Sequence, residues 1–222
     1  MTLLEAIQQR HVVRHYDGKP LSDEVVKQLQ ILIDGINAET KLHFQLITNE
    51  PKAINGPMAA LCNFTGCNDY ILLVGPENVG QLIGYYGEQL VLAAQQIGLN
   101  SCWIARTYDP VMERYDIKPG EKIYGVISLG VGTTKGHPHI SKTFDELVIG
   151  DSLPKWFKKG VECAMLAPTG KNLQAFKFEL VDGNKVKLNM FNKDKPYWVL
   201  DYGILKYHFE IGAGKENFTW IE

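Results

Sequence analysis

Two arginines and two histidines crowd one seven-residue stretch, Arg10-His11-Val12-Val13-Arg14-His15-Tyr16. On a helical turn Arg10 and Arg14 share a face. In an extended segment Arg10, Val12 and Arg14 share one side. Either conformation presents two planar, permanently charged guanidinium groups together, and such groups bind phosphate or carboxylate through paired hydrogen bonds. A solvated basic turn would use the same residues. A second polar cluster is Ala167-Pro168-Thr169-Gly170-Lys171-Asn172-Leu173-Gln174. Pro168 cannot continue a helix, and Gly170 permits unusual backbone angles. Thr169, Asn172 and Gln174 offer hydrogen bonds and Lys171 a charge, a set suited to the polar edge of a flat heterocycle or to an ordinary polar connection. Metal chemistry has thinner support. His137-Pro138-His139 has no carboxylate or cysteine beside it, and Cys62, Cys67, Cys102 and Cys163 lack paired zinc-ligand spacing, so all four read as reduced and mostly buried.

The elements that must position these residues follow from hydrophobic spacing. Thr2 to Gln9 reads as a short helix ahead of the arginine stretch, and Asp17-Gly18-Lys19-Pro20 as a turn. Ser22 is placed to cap a second helix, with Asp23 and Glu24 in its first turn. Leu42 to Leu46 and Tyr70 to Val74 read as strands. A long helix runs from about Asn78 to Ile97 and stops at Gly98. Ser101 to Ile104 is a short strand, Asp109-Pro110 starts a small helix, and Ile123 to Leu129 is a buried strand. Beyond about Gly150 the order restarts: a helix from Trp156 to Leu166, a strand from Ala175 to Leu180, a hairpin turn at Asp182-Gly183-Asn184-Lys185, a strand to Phe191, a helix from Tyr197 to about Ile211 interrupted at Gly212 and Gly214, and a last strand at Phe218 to Ile221.

Composition excludes several classes. The chain has 222 residues, 45% hydrophobic and 22% charged, with a net charge of -2, which gives no electrostatic footprint for nucleic acid. No apolar run approaches the roughly 20 residues that cross a bilayer. The first residues lack a signal peptide's basic start and apolar core, so a cytoplasmic protein is expected. The two parts of the chain also echo each other. His43-Phe44-Gln45-Leu46 answers Lys177-Phe178-Glu179-Leu180, Tyr86-Gly87 answers Tyr202-Gly203, and Trp103-Ile104 answers Trp220-Ile221. The expectation is an internal duplication, with residues 1–150 as a first half and 151–222 as a shorter second half of one globular unit.

The two clusters together resemble the nitroreductase family of FMN-dependent oxidoreductases. Members carry Arg-Arg/His-Ser-x-Arg-x-Tyr/Phe after a first helix, then Pro-Leu/Ile; here Arg10 to Tyr16 and Lys19-Pro20-Leu21 match. Members carry Ala-Pro-Ser-x-x-Asn-x-Gln-Pro-Trp before a strand; here Ala167 to Phe176 matches. Gly98-Leu99-Asn100-Ser101-Cys102-Trp103-Ile104 matches a third signature, Gly-Leu-x-x-x-Trp-Ile/Leu. The resemblance implies an α+β fold, a central mixed or mostly antiparallel sheet flanked by helices. Ordinary members place the Pro-Ser-x-x-Asn loop soon after the arginine motif, where this chain reads Ile36-Asn37-Ala38-Glu39-Thr40, and complete the flavin site across a homodimer. Here the loop stands in the second half, as in tandem-repeat members, which implies a pseudo-dimer within one chain.

By the same resemblance Arg10, His11 and Arg14 hold the FMN phosphate, ribityl chain and ring edge, and Lys142 adds a second phosphate cation. Val12 replaces the family serine and offers its backbone N–H. Trp103, Ile104 and Ala105 bring backbone groups to the flavin, although packing is the expected role of the Trp103 side chain. Pro168, Thr169, Gly170 and Asn172 close the site from the second half. No side chain is assigned as a catalytic acid or base, because the flavin carries the electrons. One FMN per chain is expected, reduced by NADH or NADPH as a transient donor. The acceptor is a nitroaromatic, quinone or similar small molecule, and no partner chain is required. Two other readings use the same residues: a flavin-binding protein without turnover, distinguished by a yellow colour that NAD(P)H does not bleach, and an α+β interaction module that binds no flavin.

Overall fold

The strand Asp69–Pro76 (β2) shows why the chain folds as it does. Tyr70, Leu72 and Val74 turn to one side and Ile71 and Leu73 to the other, and all five are fully buried. A strand apolar on both faces must lie inside a sheet covered on both sides. The structure, a computed structural model, describes residues 1–222 and contains six helices and two four-stranded sheets.

In chain order the first part comprises α1 (Leu3–Gln9), α2 (Asp23–Thr40), β1 (Gln45–Ile47), α3 (Pro57–Ala60), β2, α4 (Gly80–Gln96), β3 (Asn100–Ile104) and β4 (Glu121–Gly130). The second comprises β5 (Val148–Ile149), α5 (Lys155–Ala164), β6 (Phe176–Val181), β7 (Lys185–Met190), α6 (Trp198–Ala213) and β8 (Thr219–Ile221). The first sheet runs β1-β2-β4-β3 and is antiparallel throughout. The second runs β5-β6-β7-β8, with an antiparallel central pair and parallel outer pairs. Ile71, Leu73, Ile127 and Leu129 pack against α2 and α4; Phe178, Val186 and Leu188 pack against α5 and α6. The expected mixture of helices and largely antiparallel sheet is present, divided between two sheets because each has a long helix of its own to cover.

Those two helices, α4 and α6, meet at their backbones. A Cβ on Gly84 would strike the carbonyl of Leu200, and one on Gly203 would strike the carbonyl of Gln81. The contact is reciprocal: each glycine meets the residue three positions before the other. Gly87, matched with Gly203 by the sequence echo, instead lies beneath the ring of Trp103.

Several local expectations change. α6 continues through Gly212, which lies against the Lys159 carbonyl of α5, and stops at Gly214 with φ 76°. Asp109 does not start a helix; its carboxylate accepts the Met58 N–H at 3.0 Å and so holds the start of α3, while a 3₁₀ turn forms at Met112–Arg114. Ser22 caps α2 as its sequence suggests. All four cysteines are free thiols, and no helix is long and apolar enough to cross a membrane.

The helix crossing predicts a contrast between two glycines. Gly84→Ala should destabilise the protein by about 1–3 kcal/mol, because a backbone must move to admit the methyl group. Gly35→Ala, in α2 with nothing within 4 Å, should stabilise it by roughly 0.5–1 kcal/mol. Thermal unfolding distinguishes them, and equal midpoints for the two variants would contradict the close crossing.

Candidate functional site

Beyond α1 the chain is extended, and this decides where the two arginines point. Val13 N–H donates to the Ser101 carbonyl (3.3 Å), Thr65 N–H to the Arg14 carbonyl (3.0 Å) and Tyr16 N–H to the Thr65 carbonyl (2.9 Å). The Tyr16 hydroxyl donates to the Val13 carbonyl at 2.8 Å. Alternation then buries Val13 in the core and turns Arg10, Val12 and Arg14 to the other side.

That side is the wall of a cavity of about 640 Å³ between the β3 edge of the first sheet and the second part's 168–172 loop and α6, a size usual for cofactor sites. The arginine segment and β3 with its continuation to Thr107 form one part of the wall. Residues 137–140, residues 168–172 and the start of α6 form the other. The structure thus brings together Arg10, His11, Val12 and Arg14 with Trp103, Ile104 and Ala105, and with Pro168, Thr169, Gly170 and Asn172. Lys142 is not brought in. Its ammonium donates to the Gln174 carbonyl at 2.9 Å, and its backbone N–H to Gln174 Oε1 at 2.8 Å, so it braces the loop from behind. Lys135 is also outside the wall; its carbonyl accepts the His11 Nδ1 proton at 2.9 Å.

Arg10 is the most informative residue. It is 3% exposed, its Nε is buried without an acceptor, and its nearest carboxylate oxygen, on Glu88, is 4.0 Å away. A guanidinium this deep and this poorly paired is expensive unless an anion joins it. Arg14 stands at the exposed mouth, 5.9 Å from the centre of the Phe64 ring. Arg106 and Lys171 also line the cavity, and Asp201 is the one carboxylate among the lining residues. The lining is therefore cationic, which suits a phosphate carrying nearly two negative charges.

The 168–172 loop is fixed by hydrogen bonds rather than by helix or sheet. Gly170 N–H donates to Asp201 Oδ1 at 2.9 Å, and Gln174 N–H to Thr169 Oγ1 at 3.2 Å. Asn172 Nδ2 donates to the Ile140 carbonyl at 2.9 Å, while Asn172 Oδ1 accepts from Gln174 Nε2 at 3.0 Å. The Asn172 amide is thus committed to joining two parts of the wall. Gly170 is needed for proximity, not for its dihedral freedom, because a Cβ there would strike the Tyr197 ring. The left-handed angles fall instead on Lys171 (φ 54°), Asn172 (φ 54°) and Gln174 (φ 46°), strain of the kind that collects at ligand sites.

On β3 the Trp103 indole packs against Gly87 and donates from Nε1 to Glu88 Oε2 at 2.7 Å, so its side chain is structural. The Ser101 carbonyl faces the outer edge of this strand, where Val13 binds it. Strand alternation sends the backbone groups of Trp103 and Ala105 to the same edge and those of Ile104 toward β4.

A family model described as "Putative TM nitroreductase" matches residues 2–213. The chain belongs to that nitroreductase family. Its fold is shared with a "putative nitroreductase" from Thermotoga maritima, at 23% identity over 96% of this chain and 84% of that one, TM-score 0.69. A "putative NADH dehydrogenase/NAD(P)H nitroreductase" from Parabacteroides distasonis is 20% identical over 68% of this chain and 98% of its own, TM-score 0.52. A "putative nitroreductase in complex with FMN" from Desulfovibrio desulfuricans is 18% identical over 69% and 99%, TM-score 0.50. No curated protein sequence matches the chain.

Sequence reasoning missed Glu88, Tyr197, Asp201 and His208. A signal existed for Asp201 and His208: they are charged or polar positions on a helix apolar on all sides, and buried polar groups require partners. Asp201 is 4% exposed, and burial pushes its carboxyl up to about 6 despite the bonds from Gly170 and Asn192. Because the folded value lies above the unfolded one, near 3.8, its stabilising contribution is complete below about pH 4 and is lost as pH rises to about 6. The loss is roughly 3 kcal/mol. Asp201→Asn should flatten that part of the profile of stability against pH, measured by urea unfolding. The same slope in variant and wild type would show that Asp201 does not titrate there.

Proposed function

We propose that this chain is an FMN-dependent oxidoreductase that passes electrons from NADH or NADPH to a nitroaromatic, quinone or similar small acceptor. The observation that carries the reading is Arg10, a buried guanidinium whose Nε has no hydrogen-bond acceptor, in the wall of a cationic cavity. Family membership and the FMN complex of the Desulfovibrio relative support it. The donor assignment follows the description of the Parabacteroides relative.

The residues fit the group. Arg10 and Arg14 hold its phosphate from inside and from the mouth, with His11 beside them and the backbone N–H of Val12 between them. The free edge of β3 at Trp103 and Ala105 offers backbone groups to the ring, and donors there favour an electron-rich ligand. Ile104 backs that edge from the core. Pro168, Thr169 and Gly170 cover the opposite side, and Asn172 keeps that cover tied to residue 140. When bound, FMN supplies the hydride-accepting centre, and the protein orients it and excludes water.

We further propose that residues 1–150 and 151–222 correspond to the two subunits of an ordinary family dimer. The reciprocal meeting of Gly84 and Gly203 supports a two-fold relation between α4 and α6. One FMN per chain then binds without a partner chain, since the second half has no counterpart of the arginine segment.

Anaerobic titration tests the reading. The purified protein should bind one FMN per chain as a monomer in light scattering, and NADH or NADPH should bleach the bound flavin. A flavin that binds but is not reduced by either would reduce the proposal to a flavin-binding protein, and no binding would remove it. Arg14→Ala should weaken FMN by about 1.5–3 kcal/mol, roughly ten- to a hundredfold in dissociation constant. Unchanged affinity would exclude Arg14 from the phosphate site.

A further inference from the structure

Glu88 and His208 are both fully buried, one on each of the helices that cross between the two sheets. Glu88 Oε2 accepts from Trp103 Nε1 at 2.7 Å, and Glu88 Oε1 lies 2.8 Å from His208 Nε2 and 4.0 Å from Arg10 Nε. The other ring nitrogen, His208 Nδ1, is 3.1 Å from the Cys163 carbonyl on α5. A carbonyl only accepts, so Nδ1 carries a proton. The bond between Nε2 and Oε1 holds a second proton, whichever of the two atoms owns it. As imidazolium with carboxylate, or as imidazole with carboxylic acid, the pair sums to zero charge. The remaining titratable groups near the cluster do not alter this sum near neutral pH. Burial, then the charges of Arg10 and His208, hold His139 below the usual histidine range; burial pushes the Cys163 thiol up to about 11 and the Tyr207 hydroxyl up to about 12.

The consequence falls on Arg10. Glu88 alone, as a carboxylate, would cancel the Arg10 charge and remove the deepest of the wall's cations from the place where an anion must bind. We propose that Glu88 and His208 are positioning residues for the anion-binding site: Glu88 holds the Trp103 indole and lies against Arg10, and the proton it shares with His208 leaves the Arg10 charge available to the ligand. The ligand class is a phosphorylated or otherwise anionic flavin, so this inference rests on the FMN reading above and concerns the residues behind that site.

Charge-compensating variants test it. FMN affinity is read by quenching of flavin fluorescence, and the midpoint potential of the bound flavin by dye equilibration. In His208→Gln the amide still donates to Glu88 but brings no charge, so the carboxylate cancels Arg10. FMN should bind roughly tenfold more weakly, and the midpoint potential should fall because added electrons meet less positive charge. The double variant Glu88→Gln with His208→Gln retains an acceptor for Trp103 and frees Arg10 again, so affinity and potential should return toward wild type. A purely structural role predicts the reverse, with the double variant at least as impaired as His208→Gln, and that result would overturn the proposal. Should His208→Gln not fold, His208→Asn, equally uncharged, takes its place: FMN binding tenfold weaker than wild type supports the account, and binding as tight as wild type contradicts it. Wild-type protein that binds FMN while His208→Gln binds equally well removes this inference and leaves the proposed function standing. Wild-type protein that binds no FMN removes both.

Discussion

The backbone contact between α4 and α6 is the constraint on which the other features depend. Two helices approach this closely only where side chains are absent from both, and Gly84 and Gly203 provide that absence reciprocally. The crossing sets α6 against the first part of the chain, and the start of α6 lines the cavity opposite the β3 edge, so the crossing also sets the width of the cavity. It also brings Glu88 and His208 within hydrogen-bond distance across the same helix pair. A change of one methyl group at the crossing would act on the fold, the cavity and the buried polar cluster together.

The cavity wall is built against local stability. The buried Nε of Arg10 lacks an acceptor, three loop residues adopt left-handed angles, and Asp201 is held in surroundings that disfavour its charge. Each is costly for the chain alone, and together they concentrate in one place. The surrounding structure is well made: alternating core strands, the Thr2 and Ser22 helix caps, and the aromatic cluster of Phe157, Phe178 and Phe209. The gathering of the costly features around one cavity is what a binding site predicts.

Much of this was legible in the sequence, for reasons of range. The apolar spacing of β2, the stop of α4 before Gly98 and the hairpin at Asp182-Gly183 are decided by neighbours a few positions away. The arginine segment and the Pro168 loop were recognisable because each is contiguous. Lys142 shows the limit: sequence supplied its charge but not its direction, and it points to the back of the loop. Gly170 shows another, since its requirement is the Tyr197 ring, 27 positions later in the chain. Glu88, Trp103, Arg10 and His208 converge from four separate elements, and no local pattern encodes that meeting. The buried polar positions of α6 were the available clue, because an apolar helix tolerates Asp201 and His208 only with partners elsewhere.

The central claim is that one cavity, walled by both parts of the chain, receives FMN against Arg10. A crystal structure of the protein grown with FMN tests it most directly. The account predicts flavin density between the β3 edge and the 168–172 loop, with an anionic group of the ligand on the Arg10 guanidinium. Flavin bound elsewhere, or bound in the cavity with Arg10 still lacking an acceptor, would contradict it.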